Sequence, residues 1–422
     1  MPEFLTLLPP DEARSLLLSH LSALQTVSET VDLGSAVGRV LAEDVIAPHP
    51  LPDFRRSTVD GYAVQAANTH GASDSLPAYL NLIGEVPMGD KPAFEIEPGQ
   101  CALIHTGGML PNGSDAVVML EYTQETRGAG QTPNPAQEIE IFRSAADGEN
   151  VIQIGEDVAR GQMVQAKGTV LRPAEIGGLA ALGITTLRVS NKVRVGLIST
   201  GDEVIDPSRS PRPGQVRDVN TYTLAALVAK GGGIAVQYGI IADRFEALKD
   251  AAAKALSECD VVIITAGSSA STRDMTADVI RSLGEPGVLV HGINTRPGKP
   301  TILGVCKGRA VIGLPGNPVS ALVNGYLFVV PVIEKLMGVL PRPKPTALAQ
   351  LTLNLPSQAG REDWWPVKLT ANAQSKAAKY TAAPIFGKSN LIFTLAAADG
   401  LLCIPPDATG LSAGEIVEVF LL

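Results

Sequence analysis

Between residues 193 and 335, short apolar runs end in glycine-rich turns and alternate with segments of helical period; no other pattern in this 422-residue chain narrows its fold so far. The run 193–198 leads into Ser199-Thr200-Gly201-Asp202-Glu203, and 310–313 leads into Leu314-Pro315-Gly316-Asn317-Pro318. Strands apolar on both sides belong to a parallel sheet covered by helices on both faces. Such sheets bind ligands beyond the carboxyl ends of their strands, and both turns fall there. The function is expected at that edge.

The same stretch supplies the remaining parts. A helix over 220–230, with Asn220 as its cap, stops at Gly231-Gly232-Gly233. Strand 234–241 precedes Asp243 and helix 244–257, and strand 261–264 precedes the turn Thr265-Ala266-Gly267-Ser268-Ser269. Helix 275–283, strands near 288–291, 301–305 and 310–314, and helix 318–336 complete it.

On either side the pattern changes. Leu16, Leu17, Leu21 and Leu24 recur at helical spacing behind Asp11 and Glu12, and helix 173–182 ends before Gly183. Residues 1–47 and 157–190 are expected to form one discontinuous, small mixed α/β lobe. The proline cluster at 48–52 opens a β-rich inserted lobe over 48–156, with an exposed loop at 125–137. Residues 191–340 form the α/β domain. Pro341-Arg342-Pro343-Lys344-Pro345 starts a second β-rich lobe over 341–422, with strands at 349–355, 365–370, 391–395, 401–404 and 416–421. The expected fold is multidomain α/β: a central domain with a parallel-type sheet, two β-rich lobes and the small mixed lobe.

Composition excludes several functions. A net charge of −9 argues against a nucleic-acid backbone as partner, so an anionic ligand must find its positive charge locally. Cys101, Cys259, Cys306 and Cys403 form no Cys-x-x-Cys pair, which points to a reducing compartment without a zinc site. Met1-Pro2-Glu3-Phe4 lacks a basic leader, and no apolar run reaches about 18 residues. No membrane span and a cytoplasmic location are therefore expected.

Three carboxylates stand out. Glu203, Asp243 and Asp274 follow the first three strands of the central sheet, so all three can meet at one crevice. Magnesium commonly takes one or two carboxylates and completes its shell with phosphates and water. Helix capping accounts for Asp243 or Asp274 singly; three acids at strand ends favour a site. Asn317 and Pro318 read as N-cap and first residue of the last helix, whose free N–H groups suit phosphate, or as an ordinary capped turn. Arg296-Pro297-Gly298-Lys299-Pro300 offers two cations on a stiff turn, for an oxyanion or merely for solvent. It is not a P-loop, because five residues separate Gly292 from Gly298 and Pro300 follows the lysine. Asp60-Gly61, Thr106-Gly107-Gly108 and Gly155-Glu156-Asp157 have plain turn explanations.

Taken in order, these segments resemble the molybdopterin molybdenumtransferase (MoeA) family, similar to the E domain of gephyrin. The matching strings are Ser-Thr-Val-Asp-Gly-Tyr-Ala at 57–63, Ile-His-Thr-Gly-Gly at 104–108, Gly-Ser-Asp-Ala-Val-Val at 113–118 and Gly-Glu-Asp-Val at 155–158. Ser-Thr-Gly-Asp-Glu at 199–203, Gly-Gln-Val-Arg-Asp-Val-Asn at 214–220, Arg-Pro-Gly-Lys-Pro at 296–300 and Gly-Leu-Pro-Gly-Asn-Pro-Val-Ser-Ala at 313–321 continue the series. The last string is the most specific.

The resemblance implies a homodimer whose cleft lies between the α/β domain and the β lobe of the other subunit. It implies insertion of molybdate into adenylylated molybdopterin, with magnesium present, releasing AMP and molybdenum cofactor. Carried over, Glu203, Asp243 and Asp274 border nucleotide and magnesium, and Asp60, Thr106 and Asp157 face them across the dimer. Thr200, Gly201, Ser268, Ser269, Pro315, Gly316 and Asn317 line the bound pterin nucleotide; Arg296 and Lys299 meet phosphate or molybdate. Arg361 and Ser389 are the substrate-facing groups of the last lobe. Transient contact with other proteins of molybdenum cofactor biosynthesis is also implied.

Three features depart from the family pattern. The turn at 267–271 is one residue short, Arg296 replaces a lysine, and Gly292 stands where lysine is common. No Ser-His or Cys-His nucleophile is present, and charge offset with orientation can carry this reaction without one. The alternative is a non-catalytic molybdopterin-binding carrier or sensor. An interaction scaffold and an adenylyltransferase fit less well, the latter because it needs no β-rich lobes.

Overall fold

The computed structural model describes residues 7–22, 27–126, 137–266, 270–372 and 378–422, with backbone alone at 270–274. Two compact units divide the chain: 1–43, 167–172 and 186–422 form one, and 44–166 with 173–185 form the other.

A six-stranded sheet centres the first unit. Its strands are β1 (Arg194–Thr200), β2 (Ile234–Ile241), β3 (Val261–Ala266), β4 (Pro286–His291), β5 (Ile302–Cys306) and β6 (Arg309–Pro315), in the order β2-β1-β3-β6-β5-β4. The first four in that order run parallel, while β5 is antiparallel to both β6 and β4. Helices α1 (Asn220–Lys230), α2 (Phe245–Glu258) and α3 (Ala270–Ser282) connect them.

Alternate strand residues go to opposite faces. Val195, Leu197, Val261 and Ile263 share one core with Leu224, Leu227 and Val228 of α1. Ile198, Val262 and Ile264 share another with Leu248 and Ala252 of α2. Every residue of β3 is buried, which is why its run carries no polar alternation. Each such aliphatic side chain contributes about 1.5–3 kcal/mol by leaving water. The chain steps from β1 to β2 on one side and returns to β3 on the other. The strand order therefore reverses between β1 and β3, where doubly wound sheets open a crevice.

Ala13, Leu17 and Leu21, from and just after helix Pro10–Ser19, enter the α1-side core. The last helical run of the α/β domain, Pro318–Met337, spans 20 residues and is apolar enough by length and composition to cross a membrane; no span was expected from the sequence. It is 72% buried over its most apolar window and lies in the same core, as a central helix of a folded domain does. A wide turn at Gly325–Val329 interrupts it just before Pro331, which has no N–H to give a regular ladder.

The C-terminal lobe is a closed barrel. Thr346–Leu351, Glu362–Ala371, Tyr380–Pro384, Gly400–Ile404 and Ile416–Leu421 form its wall. Closure follows because Glu362–Ala371 pairs with both Tyr380–Pro384 and Gly400–Ile404. The strand expected at 391–395 is instead the short helix Ile392–Ala396. A parallel pairing ties Thr295 and Arg296 to Glu362 and Asp363.

The second unit contains a six-stranded β sheet around Gly61–Val64, Ala78–Glu85 and Gln100–Ile104, plus helix Pro173–Ala181. Its faces divide between a core holding Tyr62, Val64 and Leu80 and another holding Ala63, Ala102 and Ile104. Of the loop expected at 125–137, residues 127–136 lie outside the described set.

Candidate functional site

The strand ends of the central sheet form one row. Thr200 is level with Ile241, Ser199 with Thr265, and Ala266 with Pro315. At ordinary strand spacing this row extends about 14 Å from β2 to β6.

Acids occupy one end. Gly201 has φ +142, and a side chain there would meet Glu203 Oε2 at 2.9 Å, so the carboxylate of Glu203 folds back over the turn. Only glycine leaves that space free. The backbone N–H of Asp243 donates to Asp202 Oδ1 at 3.3 Å. Burial pushes the Asp243 carboxyl above its ordinary 3.8; the Thr200 hydroxyl opposes this, and the charges of Asp202 and Glu203 add to it. Asp243 is not the helix cap: α2 begins behind Arg244 without any side-chain cap. That removes the bland reading of Asp243.

Asp243 Oδ1 and Thr200 Oγ1 are both buried and lack hydrogen-bond geometry to any partner among the described residues. Two buried oxygens near the charges of Asp202 and Glu203 suit a hard divalent cation that keeps water and phosphate ligands. Magnesium fits this end of the edge. Among the described residues no three acidic, histidine or cysteine side chains form a metal cage on their own. Ser268 and Ser269 lie outside the described residues; Asp274 belongs to α3, and its side chain is likewise outside them.

Cations occupy the other end. A cavity of about 900 Å³ is lined by Arg296, Lys299, Arg361 and Lys388, together with Pro315, Asn317 and Ser389. Its volume suits a small-molecule site, and it supplies the local positive charge that a chain of net −9 needs for an anionic ligand. Asn317 precedes helix Pro318–Asn324 without capping it; its Nδ2 instead donates to Ser389 Oγ at 3.1 Å. Val319 N–H donates to the Ser389 carbonyl, so part of that helix start is already satisfied. The carbonyl of Gly316 accepts from Asn220 Nδ2 at 2.9 Å. Asn220 is therefore a strut to this turn, whereas Asp218 caps α1 through the backbone N–H and hydroxyl of Thr221.

In the second unit, Asp60 Oδ1 accepts from Thr106 N–H at 2.7 Å and from its hydroxyl at 3.1 Å. Those bonds, with His105 nearby, hold the Asp60 carboxyl below its usual range. His105 also meets Glu85 Oε1 at 3.0 Å. Asp157 is exposed, and its N–H donates to Leu51. The cysteines are free; burial pushes the Cys101 and Cys403 thiols up to about 12 and Cys306 up to about 11, which makes poor nucleophiles.

Sequence reasoning passed over Asp202, Asp363, Lys388 and the cavity-lining pair Trp364 and Trp365. One signal was present: these are the only two tryptophans of a chain with 4% aromatic residues, and they stand side by side.

A doubly wound domain joined to a closed barrel, with acids at the strand ends and a cation-lined cavity beside Pro315, defines a multidomain α/β protein built to hold an anionic ligand. Family models match over 8–183 (MoeA N-terminal region, domains I and II), 196–335 (probable molybdopterin binding domain) and 349–422 (MoeA C-terminal region, domain IV). The chain is 34% identical to molybdopterin molybdenumtransferase 2 of Mycobacterium tuberculosis, over 93% of this chain and 94% of that one. It is 33% identical to the molybdopterin molybdenumtransferase of Haemophilus influenzae, over 97% of each. The crystal structure of the molybdopterin biosynthesis MoeA protein of Pyrococcus horikoshii superposes with a TM-score of 0.83 at 33% identity, covering 99% of this chain and all of that one. The chain belongs to the MoeA family of molybdopterin molybdenumtransferases.

Proposed function

We propose that this chain acts in molybdenum cofactor biosynthesis as a molybdopterin molybdenumtransferase, with adenylylated molybdopterin and molybdate as substrates and AMP and molybdenum cofactor as products. The observation that carries this reading is the single sheet edge with an acidic end at Thr200, Glu203 and Asp243 and a cation-lined cavity at the other. Both substrates are anions, so bringing them together requires positive charge held in place. Arg296, Lys299, Arg361 and Lys388 lower that repulsion and orient the two reactants.

Asp243, Glu203 and Thr200 would hold magnesium, with Asp274 as the further expected ligand. When bound, the ion offsets phosphate charge and acts as a Lewis acid on the bond to AMP. The working form is a homodimer in which the second copy supplies Asp60, Thr106 and Asp157. Its setting is cytoplasmic, which suits four unpaired cysteines, with transient contacts to other proteins of the pathway.

The test is AMP release by the purified full chain given adenylylated molybdopterin, molybdate and magnesium, with the pterin product scored by reconstitution of an apo-molybdoenzyme. AMP and active cofactor should appear together. Asp243→Ala or Glu203→Ala should lower the rate by roughly a hundredfold or more while the fold is retained. Pterin binding without AMP release would instead establish the carrier reading.

A further inference from the structure

One carboxylate gathers two of the cavity's cations. Asp363 is 1% exposed at its side chain, yet it lines the cavity from the start of the barrel strand Glu362–Ala371. Its Oδ1 accepts from Arg361 Nε at 2.8 Å, and its Oδ2 accepts from Ser357 Oγ at 3.0 Å and from Arg361 Nη2 at 3.3 Å. Arg296 Nη1 lies 3.6 Å from the same Oδ2, and its guanidinium sits 5.6 Å from the Trp365 ring centre. The backbone pairing of Arg296 with Asp363 brings the two segments together.

Simple charge balance does not call for this arrangement. Arg296 is 55% exposed and Arg361 28%, so water already solvates much of both. Burying a carboxylate costs free energy unless its acceptors are filled, and here they are. What burial adds is direction: the engaged edge of the Arg361 fork is fixed, and its remaining N–H groups stay available at the cavity wall. A guanidinium held in plane by one carboxylate presents paired donors to a tetrahedral oxyanion.

Resting on the reading of this cavity as the anion site, we infer that Asp363 is a positioning residue that aims Arg361 and Arg296 at a tetrahedral oxyanion. Two sources share that chemistry, free molybdate and a phosphate group of the pterin substrate.

Charge and geometry predict opposite signs. Asp363→Asn makes the cavity one unit more positive, so if charge alone counted, oxyanions would bind more tightly. If aim counts, binding weakens, because the new amide N–H opposes the donors of Arg361 and Ser357. The experiment is calorimetric titration of the full chain at low salt with sodium molybdate and, separately, inorganic phosphate. Asp363→Asn should weaken binding by roughly ten- to a hundredfold, Arg361→Lys should do the same despite its retained charge, and Asp363→Glu should recover much of the loss. Loss in the molybdate arm assigns the fork to that substrate, and loss in the phosphate arm assigns it to the pterin; either supports the inference. In the AMP-release assay, KM should rise with kcat largely kept.

Equal or tighter oxyanion binding by Asp363→Asn overturns the inference while leaving the cavity's role intact. Failure of the wild-type chain to bind either anion overturns both. Should Asp363→Asn unfold, Ser357→Ala carries the test, since it removes one hydrogen bond and no charge. A few-fold loss of binding is expected from it, and unchanged binding overturns the proposal.

Discussion

Asp243 shows how much a single side chain can disclose. Its carboxyl is raised chiefly by burial, so the folded chain holds that proton more tightly than the unfolded one. The corresponding stability is fully present below the unfolded value near 3.8 and is lost as pH rises through the raised folded value. At neutral pH the ionised carboxylate therefore strains the fold, and a permanently neutral replacement relieves it. Asp243→Asn should unfold at a slightly higher temperature than wild type at pH 7. Thermal unfolding followed from pH 4 to pH 8 should show the gap closing toward the acid end. A variant less stable than wild type at pH 7 would contradict the assignment of Asp243 as an acid whose charge burial disfavours.

Among the elements lining the cavity is the turn carrying Arg296 and Lys299. Gly298 adopts φ +105, and a side chain there would collide with the amide of the fully buried Asn324. That amide cannot move aside readily, because its Nδ2 donates to Pro297 at 3.1 Å and to Ser320 at 2.8 Å. Gly298→Ala should therefore displace the turn, costing about 1–3 kcal/mol from backbone conformation alone, and should lower molybdate affinity along with stability; calorimetry and urea unfolding check both. How far such elements were legible depends on distance along the chain. The parallel core of the sheet and the turns at its strand ends follow from local signals, an apolar run closed by glycine, and those signals held. Barrel closure did not show, because it rests on pairings between distant segments such as Thr346–Leu351 with Tyr380–Pro384. Ile392–Ala396 misled because a five-residue run of apolar and β-branched side chains suits a strand or a helix turn equally. Asn317 looked like a cap by position, but its partner Ser389 lies far away in sequence. Lys388 and Asp363 escaped for the same reason: only folding brings the barrel rim to the 296–300 turn.

At the scale of the whole molecule, the proposed homodimer makes a demand that no single protomer can meet. If Asp243 of one copy works with Asp60 of the other, two inactive variants can rescue each other. Asp60→Ala leaves the acidic edge intact, and Asp243→Ala leaves intact the Asp60 carboxylate that Thr106 holds by two hydrogen bonds. In a symmetric dimer each hybrid then has one doubly damaged site and one complete site. Equal mixing makes half of the dimers hybrid, so about a quarter of wild-type AMP release should return once subunits have exchanged, from two preparations that are each nearly inactive. The exchange itself is checked by following a tagged copy into untagged dimers. A chain that completed its site from its own residues would show no recovery at any mixing ratio, because every site would still carry one lesion. Recovery near a quarter, rising and falling with the fraction of hybrids, requires that Asp243 and the turn formed by Asp60 and Thr106 complete one site from different copies.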